Sequence, residues 1–423
     1  MDSSFQPLNA VENYESLIWS ERYSDFGDFE LTSSDIAGMV SLLPREACVC
    51  LRESTVPMIV ENYAINKPAR EKPTITITGR SYETVLERRV AVNTTLPATY
   101  SSVPFDDWDI DATKESDAAY LAMRIVLGDA PRYQGSTMVL PLTNPAVSPL
   151  DAIAEIDLIL PADYIDIIGV AAWSATPPVA YTAGSRAKYA GFVWRAIAPT
   201  APDPPTITDP SKWEKLYPWS PYEIKAQNLY GSVMELLNTN RRGLKAVRPV
   251  PGDFKIGIEI YNGANLTGEG ETGDPNHVVV FDARFDQFDD TTYLLSAQGS
   301  ANVAYVYGSN GAQTVLKNAA AEPTGLARRV LFVDQSSDTA TSSADVRKTR
   351  GLIELYKYNA TALFDGQIAE QVAEGYDRDY FLGDILKLTG EFGLSQNARV
   401  AEFIRTSDAT GSKAYPTFEA VDD

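Results

Sequence analysis

The chain has 423 residues, of which 44% are hydrophobic, and its formal net charge is −21. Single hydrophobic cores stop growing at about 250–300 residues, so we expect roughly three or four domains. The acidic balance argues against sustained binding of nucleic acid, which needs a basic face. The sequence lacks a run of about 18 apolar residues, so no membrane span is expected. The N-terminal segment MDSSFQPLNAVENYESLIW lacks the features of a secretory signal, so we expect synthesis and folding in the cytoplasm.

The first 95 residues are predicted to be rich in β-strands. The runs SLIWSERY, FGDFELTS, CVCLRES, PMIVENYAI and TITITGR are β-branched or aromatic and are separated by turn-forming residues. In SYETVLERRV the spacing of apolar residues changes from that of a strand to that of a helix, and Ser81 suits the N-cap position of that helix. Cys48 and Cys50 are the only cysteines, and their two-residue spacing favours buried reduced thiols over a disulfide.

The middle of the chain mixes both element types. FDDWDIDATKESDAAY is an acidic boundary, and a helix is predicted at AAYLAMRIVLG. A second helix is predicted in SPYEIKAQNLYGSVMELLNTNRRG, capped by Ser220, with Pro221 in its first turn and Gly243 at its end. Strands are predicted at DFKIGIEIY, HVVVFDARF, TTYLLSAQ and ANVAYVYG, followed by a helical region from residue 344. DYFLGDILKLTG and ARVAEFIRTS are predicted to form a closing strand pair.

Chemical motifs give no catalytic, cofactor or metal site. GEGETG matches a dinucleotide fingerprint, but a strand and not a helix follows it, so we interpret it as a loop. His277 is the only histidine, and nothing links it to a nucleophile. The run Asp106–Asp111 lacks the glycine and distal glutamate of a calcium loop. We therefore predict that the protein is not an enzyme.

Three stretches resemble the hub proteins at the tip of siphophage tails. They are WSERYSDFGDFEL (19–31), TITGRSYETVLERRV (76–90), and GYDRDYFLGDILKL (375–388) with ARVAEF (398–403). The motifs lie in order and reach both ends of the chain. Within the second motif, Arg80, Arg88 and Arg89 bring positive charge to an acidic protein, and we expect them to pair between subunits.

The resemblance implies a mainly β fold with α+β insertions and two tail-tube-like β-barrels. We assign the first barrel to residues 1–95 and the second to 245–300 with 376–423. An accessory α/β domain would take 96–170 and 220–244, and a helical insert would take 301–375.

The resemblance also implies partners. Three copies would form a ring at the tail tip of the virion that closes the tail tube and meets the distal tail protein or the tube itself. The ring would hold the tape-measure protein, anchor tail fibres or tip proteins, and let DNA pass without binding it specifically. A repulsive acidic lumen suits that passage.

Residues 171–219 resemble a small inserted carbohydrate-binding module of the chitin-binding type 3. Aromatic residues follow the module's spacing, and the candidate sugar-binding residues are Trp173, Tyr181, Tyr189, Trp194 and Trp213. A module this small needs large aromatics for its core, so sugar binding and a purely architectural role both stay open. The alternative function for the whole chain is an adhesin that binds polysaccharide on the host surface.

Overall fold

A computed structural model describes residues 10–69, 72–91, 107–127, 155–174, 181–197, 212–248, 255–269, 277–296, 298–317, 323–337, 341, 344–358, 361–368, 375–390 and 395–421. Strands outnumber helices among these residues, which confirms the prediction of a mainly β fold. The strands are β1 (Ser16–Arg22), β2 (Asp28–Ser33), β3 (Cys48–Val49), β4 (Met58–Asn66), β5 (Thr74–Ser81), β6 (Trp108–Ala112), β7 (Glu155–Ile159), β8 (Arg186–Tyr189), β9 (Phe192–Ala196), β10 (Trp213–Pro218), β11 (Ser220–Ile224), β12 (Gly243–Val247), β13 (Lys255–Tyr261), β14 (Val280–Asp282), β15 (Phe288–Ser296), β16 (Val303–Gly308), β17 (Gln313–Lys317), β18 (Val330–Gln335), β19 (Thr361–Ile368), β20 (Ile385–Thr389), β21 (Ser395–Asp408) and β22 (Gly411–Ala420). The α-helices are α1 (Ile36–Leu42), α2 (Glu115–Leu127), α3 (Leu229–Leu237) and α4 (Ala344–Lys357). Short 3-10 helices occupy Tyr82–Arg88, Asn238–Asn240, Ala283–Phe285, Ser309–Gly311 and Gly325–Ala327.

The largest sheet joins the two ends of the chain. It has nine strands in the order β14-β20-β21-β1-β2-β5-β4-β3, with β22 also paired to β21. Strand β1 runs antiparallel to β21, and Trp19 lies opposite Arg405. The strands expected to build two separate barrels therefore belong to one continuous sheet, and no barrel closes within the described part of the chain. Pairing β1 with β21 satisfies the backbone groups that each strand would expose at an edge.

Alternation along the strands separates the two faces of this sheet. In β5, Ile75 and Ile77 are buried, whereas Thr76 and Thr78 lie on the opposite, partly exposed face. Helix α1 covers the apolar face through Met39. The period-two pattern of TITITG is therefore confirmed as a strand with one buried side.

A second core lies beneath α2 and α3. Its apolar residues come from both helices, from β6 and β11, and from β12 and β13. The helix predicted to begin at Ser220 begins later, at Leu229, where the Asn228 side chain accepts from the Gly231 N–H at 2.7 Å. The prediction was wrong for residues 220–224 because Tyr222 and Ile224 alternate into this core and pair with β6.

Residues 301–375 were predicted to be a helical insert, and that prediction is corrected by the structure. Strands β16, β17 and β18 form a three-stranded sheet, and α4 packs on one face of it. Strand β19 pairs with β15. The alternation in VAYVYG, with Ala304 and Val306 turned toward Leu355, confirms the strand predicted there. The helical region predicted from residue 344 is a helix only in α4, because residues 361–368 pair with β15 as a strand.

The closing strand pair is confirmed, since β20 and β21 run antiparallel with Ile385 opposite Arg399. The domain boundaries stay predictions. Within the described residues, no helix is long and apolar enough to cross a membrane.

Candidate functional site

The three resemblance motifs, far apart in sequence, come together around the central sheet. The first forms parts of β1 and β2, the second forms β5 and the 3-10 helix after it, and the third leads into β20. Strand β2 of the first motif pairs with β5 of the second motif. Strand β1 of the first motif pairs with β21, which contains the last part of the third motif. We call this region the motif junction.

The first and third motifs meet at Tyr23 and Gly383. The Tyr23 hydroxyl donates to the Arg241 carbonyl at 2.8 Å. Gly383 has a φ of +93°, and a Cβ there would lie 2.3 Å from the Tyr23 ring. The Arg399 guanidinium covers that ring, with 4.8 Å from its central carbon to the ring centroid, and donates to the Gly383 carbonyl at 2.8 Å. Only glycine fits this left-handed position against the ring.

A buried ion cluster lies next to this contact. The Arg405 guanidinium donates to the Glu21 carboxylate and also contacts Asp377 at 3.1 Å. Tyr376 stacks on Phe403, with ring centroids 3.6 Å apart. Burial raises the pKa of Asp377, although Arg405 opposes that shift. The cluster therefore connects β1, β21 and the loop before β20.

The first and second motifs are joined through Ser81. Gly27 N–H donates to the Ser81 hydroxyl oxygen at 2.9 Å, and that hydroxyl donates to Glu83 at 2.5 Å. The second oxygen of Glu83 accepts from the Ala246 N–H at 3.0 Å, which connects the motif to β12. Glu83 is buried, and burial raises its pKa to about 7.

The arginines of the second motif make contacts within their own chain, and pairing between subunits stays a prediction. Arg80 contacts Glu61 at 2.7 Å and Glu87 at 2.9 Å, and Arg88 contacts Glu46 at 3.1 Å. Arg89 donates to the backbone carbonyl of Arg88. The carboxylates that neutralise Arg80 and Arg88 come from β4, from the 3-10 helix and from the segment before β3, which sequence spacing does not bring together.

Residues 181–197 and 212–218 form a three-stranded sheet in the order β10-β9-β8. Trp194 and Trp213 are buried in its core, at 4% and 3% exposure, so neither ring has a face open to a sugar. The Trp194 indole N–H donates to the Tyr189 carbonyl at 3.0 Å. These two tryptophans stabilise the fold of the module.

The other three candidates are partly exposed at the edge of that core. Trp173 contacts Tyr189 edge-to-face, and Tyr181 contacts Trp213 in the same way, with centroids 5.4 and 5.3 Å apart. The Tyr181 hydroxyl accepts from the Ser174 N–H at 2.9 Å. Trp173, Tyr181 and Tyr189 are therefore the candidates whose rings keep some accessible surface.

The module contacts its neighbours through Lys188. The Lys188 ammonium lies 2.6 Å from an Asp111 carboxylate oxygen of β6 and 5.0 Å from the centre of the Trp219 ring. Asp109 and Asp111, which belong to the acidic boundary predicted from the sequence, lie on strand β6. Within the described residues, no three histidine, cysteine, aspartate or glutamate side chains are grouped so that they could hold a metal ion.

Both ends of the chain, which share one sheet, match a known class of siphovirus proteins. The family model described as "Siphovirus ReqiPepy6 Gp37-like protein" matches residues 1–146 and 196–418. The chain belongs to this family. The resemblance to siphophage tail proteins is confirmed, and residues 147–195, which include about half of the aromatic module, lie outside the match.

Solved structures with a similar course of the chain are also tail proteins. The 43 kDa tail protein of prophage MuSo2 from Shewanella oneidensis has 10% identity and a TM-score of 0.48, covering 97% of this chain and 95% of that one. Prophage tail protein gp18 from Listeria monocytogenes EGD-e has 11% identity and a TM-score of 0.46, covering 98% and 91%. The tail protein from Neisseria meningitidis MC58 has 10% identity and a TM-score of 0.45, covering 97% and 93%. Likenesses this distant carry no argument about what the chain binds. No curated protein matches the sequence.

Proposed function

We propose that this siphophage tail protein is the structural hub of the tail tip. Three copies form a ring that closes the tube, holds the end of the tape-measure protein, anchors fibres or tip proteins and lets DNA through. The observation that carries the proposal is the nine-stranded sheet. Because this one sheet contains strands from both ends of the chain, it would be a rigid part of the wall of the ring. Family membership over both ends of the chain supports the same role.

The open face of that sheet is the surface we assign to the channel. Neighbouring strands place Thr78, Glu30, Ile18 and Thr406 in one row across β5, β2, β1 and β21. The carboxylates in this row repel a phosphate backbone, and the neutral hydroxyl groups do not attract it by charge.

Two cations on the same face, Arg22 and Arg80, are neutralised by carboxylates of this chain. Arg22 pairs with Asp28 at 3.0 Å and with Glu402 at 2.8 Å, as Arg80 pairs with Glu61. DNA would therefore find few free positive charges there. We accordingly expect carboxylates to outnumber cationic groups along the axis.

A second role, weak attachment to host glycan, is favoured by the aromatic module. Residues 147–195 lie outside the family match, so the first half of the module is not part of what the family model describes. Trp173 and Tyr181 keep partly accessible rings, and three copies in a ring would strengthen a weak contact by avidity. An adhesin without ring assembly is the alternative, and it predicts glycan binding by a monomer.

Native mass spectrometry and electron microscopy of the purified protein test the main proposal. We expect a particle of three chains with an open axis. A stable monomer at high concentration, together with the absence of a ring in virions, would refute the hub. Zymography on peptidoglycan should give no clearing zone, since we propose a structural and not a hydrolytic role.

A further inference from the structure

One face of the sheet β17-β16-β18 is apolar and exposed. Helix α4 covers the opposite face, where Ala304 and Val306 are buried. On the exposed face, which we call the outer face, Val315, Tyr305 and Phe332 lie side by side across the three strands. These residues are 59%, 39% and 64% exposed, respectively. A contiguous exposed row of large apolar side chains marks a contact surface for another molecule.

Polar side chains lie around this apolar row. Of the two neighbouring rows on the outer face, one ends in Lys317 and Val330, and the other ends in Gln313 and Asp334. An apolar, aromatic centre with a polar rim is typical of surfaces that bind another protein. The outer face therefore has the composition of a protein–protein interface.

The central tyrosine of this face is held in place by an arginine. The Arg328 guanidinium lies over the Tyr305 ring, with 6.0 Å from its central carbon to the ring centroid. Its Nη2 also donates to the Tyr305 hydroxyl at 2.9 Å. Tyrosine and arginine are enriched among the residues that contribute most to binding energy. Because the ring is already positioned, binding would cost little side-chain entropy at this point.

The unit formed by β16, β17, β18 and α4 differs in charge from the rest of the chain. Residues 303–357 carry seven lysines and arginines and five aspartates and glutamates, whereas the whole chain carries 36 and 57. One of the seven, Arg350, pairs with Glu223 of β11. All of the excess negative charge therefore lies outside this unit. Two copies of an acidic chain repel each other, and contact through this unit avoids that repulsion because it brings no acidic excess to its neighbour.

We propose that the outer face binds a second copy of this chain, at an acidic surface of the neighbouring subunit. This inference rests on the proposed ring of three chains, in which each subunit presents two different surfaces to its neighbours. The outer face is one of these two surfaces. Val315, Tyr305 and Phe332 form the centre of the contact, and the polar residues around them form its rim.

Sedimentation velocity of the full chain over a dilution series tests the proposal. The wild type should sediment as three chains at high concentration and dissociate on dilution. Phe332→Glu and Val315→Glu each place a carboxylate in the centre of the outer face, opposite an acidic partner surface. Each variant should raise the concentration of half-dissociation at least about 30-fold, as expected for a central interface residue. Both side chains are exposed in the single chain, so circular dichroism should show an unchanged fold.

Two further variants separate the outer face from a general effect of added charge. Ile168→Glu is the matched control, because Ile168 is a β-branched residue with 54% exposure that lies between β7 and β8. It should leave the concentration of half-dissociation unchanged. Phe332→Lys removes the same ring as Phe332→Glu but adds a positive charge, so it should weaken association less. Equal losses in Phe332→Lys and Phe332→Glu would overturn the acidic partner surface.

The result for the wild type distinguishes failure of the ring from failure of this interface. A wild-type chain that stays monomeric at high concentration would overturn the hub and this inference together. A wild-type trimer whose dissociation is unchanged by Phe332→Glu and Val315→Glu would overturn this inference alone. In that case the outer face would belong to a contact with a different tail protein.

Discussion

The Arg405 guanidinium donates to the Glu21 carboxylate, although 384 positions separate the two residues along the chain. Both side chains are well buried, at 12% and 6% exposure. The pair lies where β1 meets β21, with Asp377 as a second carboxylate for the same arginine. The contact therefore connects the N-terminal and C-terminal parts of the central sheet with opposite charges.

Replacing Arg405 should destabilise the chain strongly. Arg405→Met leaves Glu21 buried without its cation, and we expect the free energy of unfolding to fall by about 3–5 kcal/mol. Urea denaturation followed by circular dichroism measures the loss. The control Arg195→Met removes an arginine whose ion pair with Glu214 is exposed on both sides, at 49% and 43%, and it should change the midpoint little. Equal losses in the two variants would show that the buried pair has no special role.

Glu83 should make stability depend on pH. Its pKa is about 7 in the folded chain against 4.5 for an ordinary glutamate, because burial disfavours the carboxylate. The folded state therefore binds the proton more tightly, and the stabilisation from that proton is complete below about pH 4.5 and is lost as pH rises through 7. The shift corresponds to about 3 kcal/mol. Glu83→Gln should be less sensitive to pH between 5 and 8, as measured by urea denaturation at each pH. An unchanged slope in the variant would disprove this assignment.

Gly383 should not tolerate a side chain. Gly383→Ala adds the cost of a left-handed alanine, about 1–3 kcal/mol, and also forces the new Cβ to within 2.3 Å of the Tyr23 ring. Gly184→Ala is the matched control, since Gly184 has a φ of +90° but nothing within 4 Å of its Cβ position. Thermal unfolding should show a clearly larger loss at Gly383. Similar losses at both positions would mean that the contact with Tyr23 relaxes easily.

The tryptophans of the aromatic module should divide into two groups. Trp213→Ala removes a buried ring and should cost the module about 3–5 kcal/mol, so that limited proteolysis cleaves within residues 171–219. Trp173→Ala should leave the module folded and reduce any retention on insoluble chitin. If Trp173→Ala binds chitin as the wild type does, Trp173 is not a sugar contact.

Deleting residues 171–219 and joining the flanks should leave ring assembly intact. The module folds around its own aromatic cluster and contacts β6 through the Lys188–Asp111 ion pair. Native mass spectrometry of the deletion variant should still give three chains. Loss of assembly would show that the module belongs to the core of the hub. Unchanged adsorption of phage to cells, with assembly preserved, would remove only the glycan role.

Local patterns in the sequence were enough to predict most of the strands and the aromatic mini-sheet. Strict alternation in TITITG and the turn residues between apolar runs are decided within a few residues, so they hold before any tertiary contact is known. The resemblance motifs were also visible as short segments, and the family match confirms them.

Tertiary structure alone decided how those pieces combine. Residues 220–224 carry good helix punctuation, yet they form β11 because burial of Tyr222 and Ile224 beside β6 outweighs the local preference. The strands of the two expected barrels form one sheet because β1 pairs with β21. These strands lie far apart in the sequence, so no local pattern indicates that they pair or in which register. The same holds for a cavity lined by Arg241 and Arg399, because the turn after α3 and strand β21 both contact Tyr23, and no local pattern specifies that arrangement.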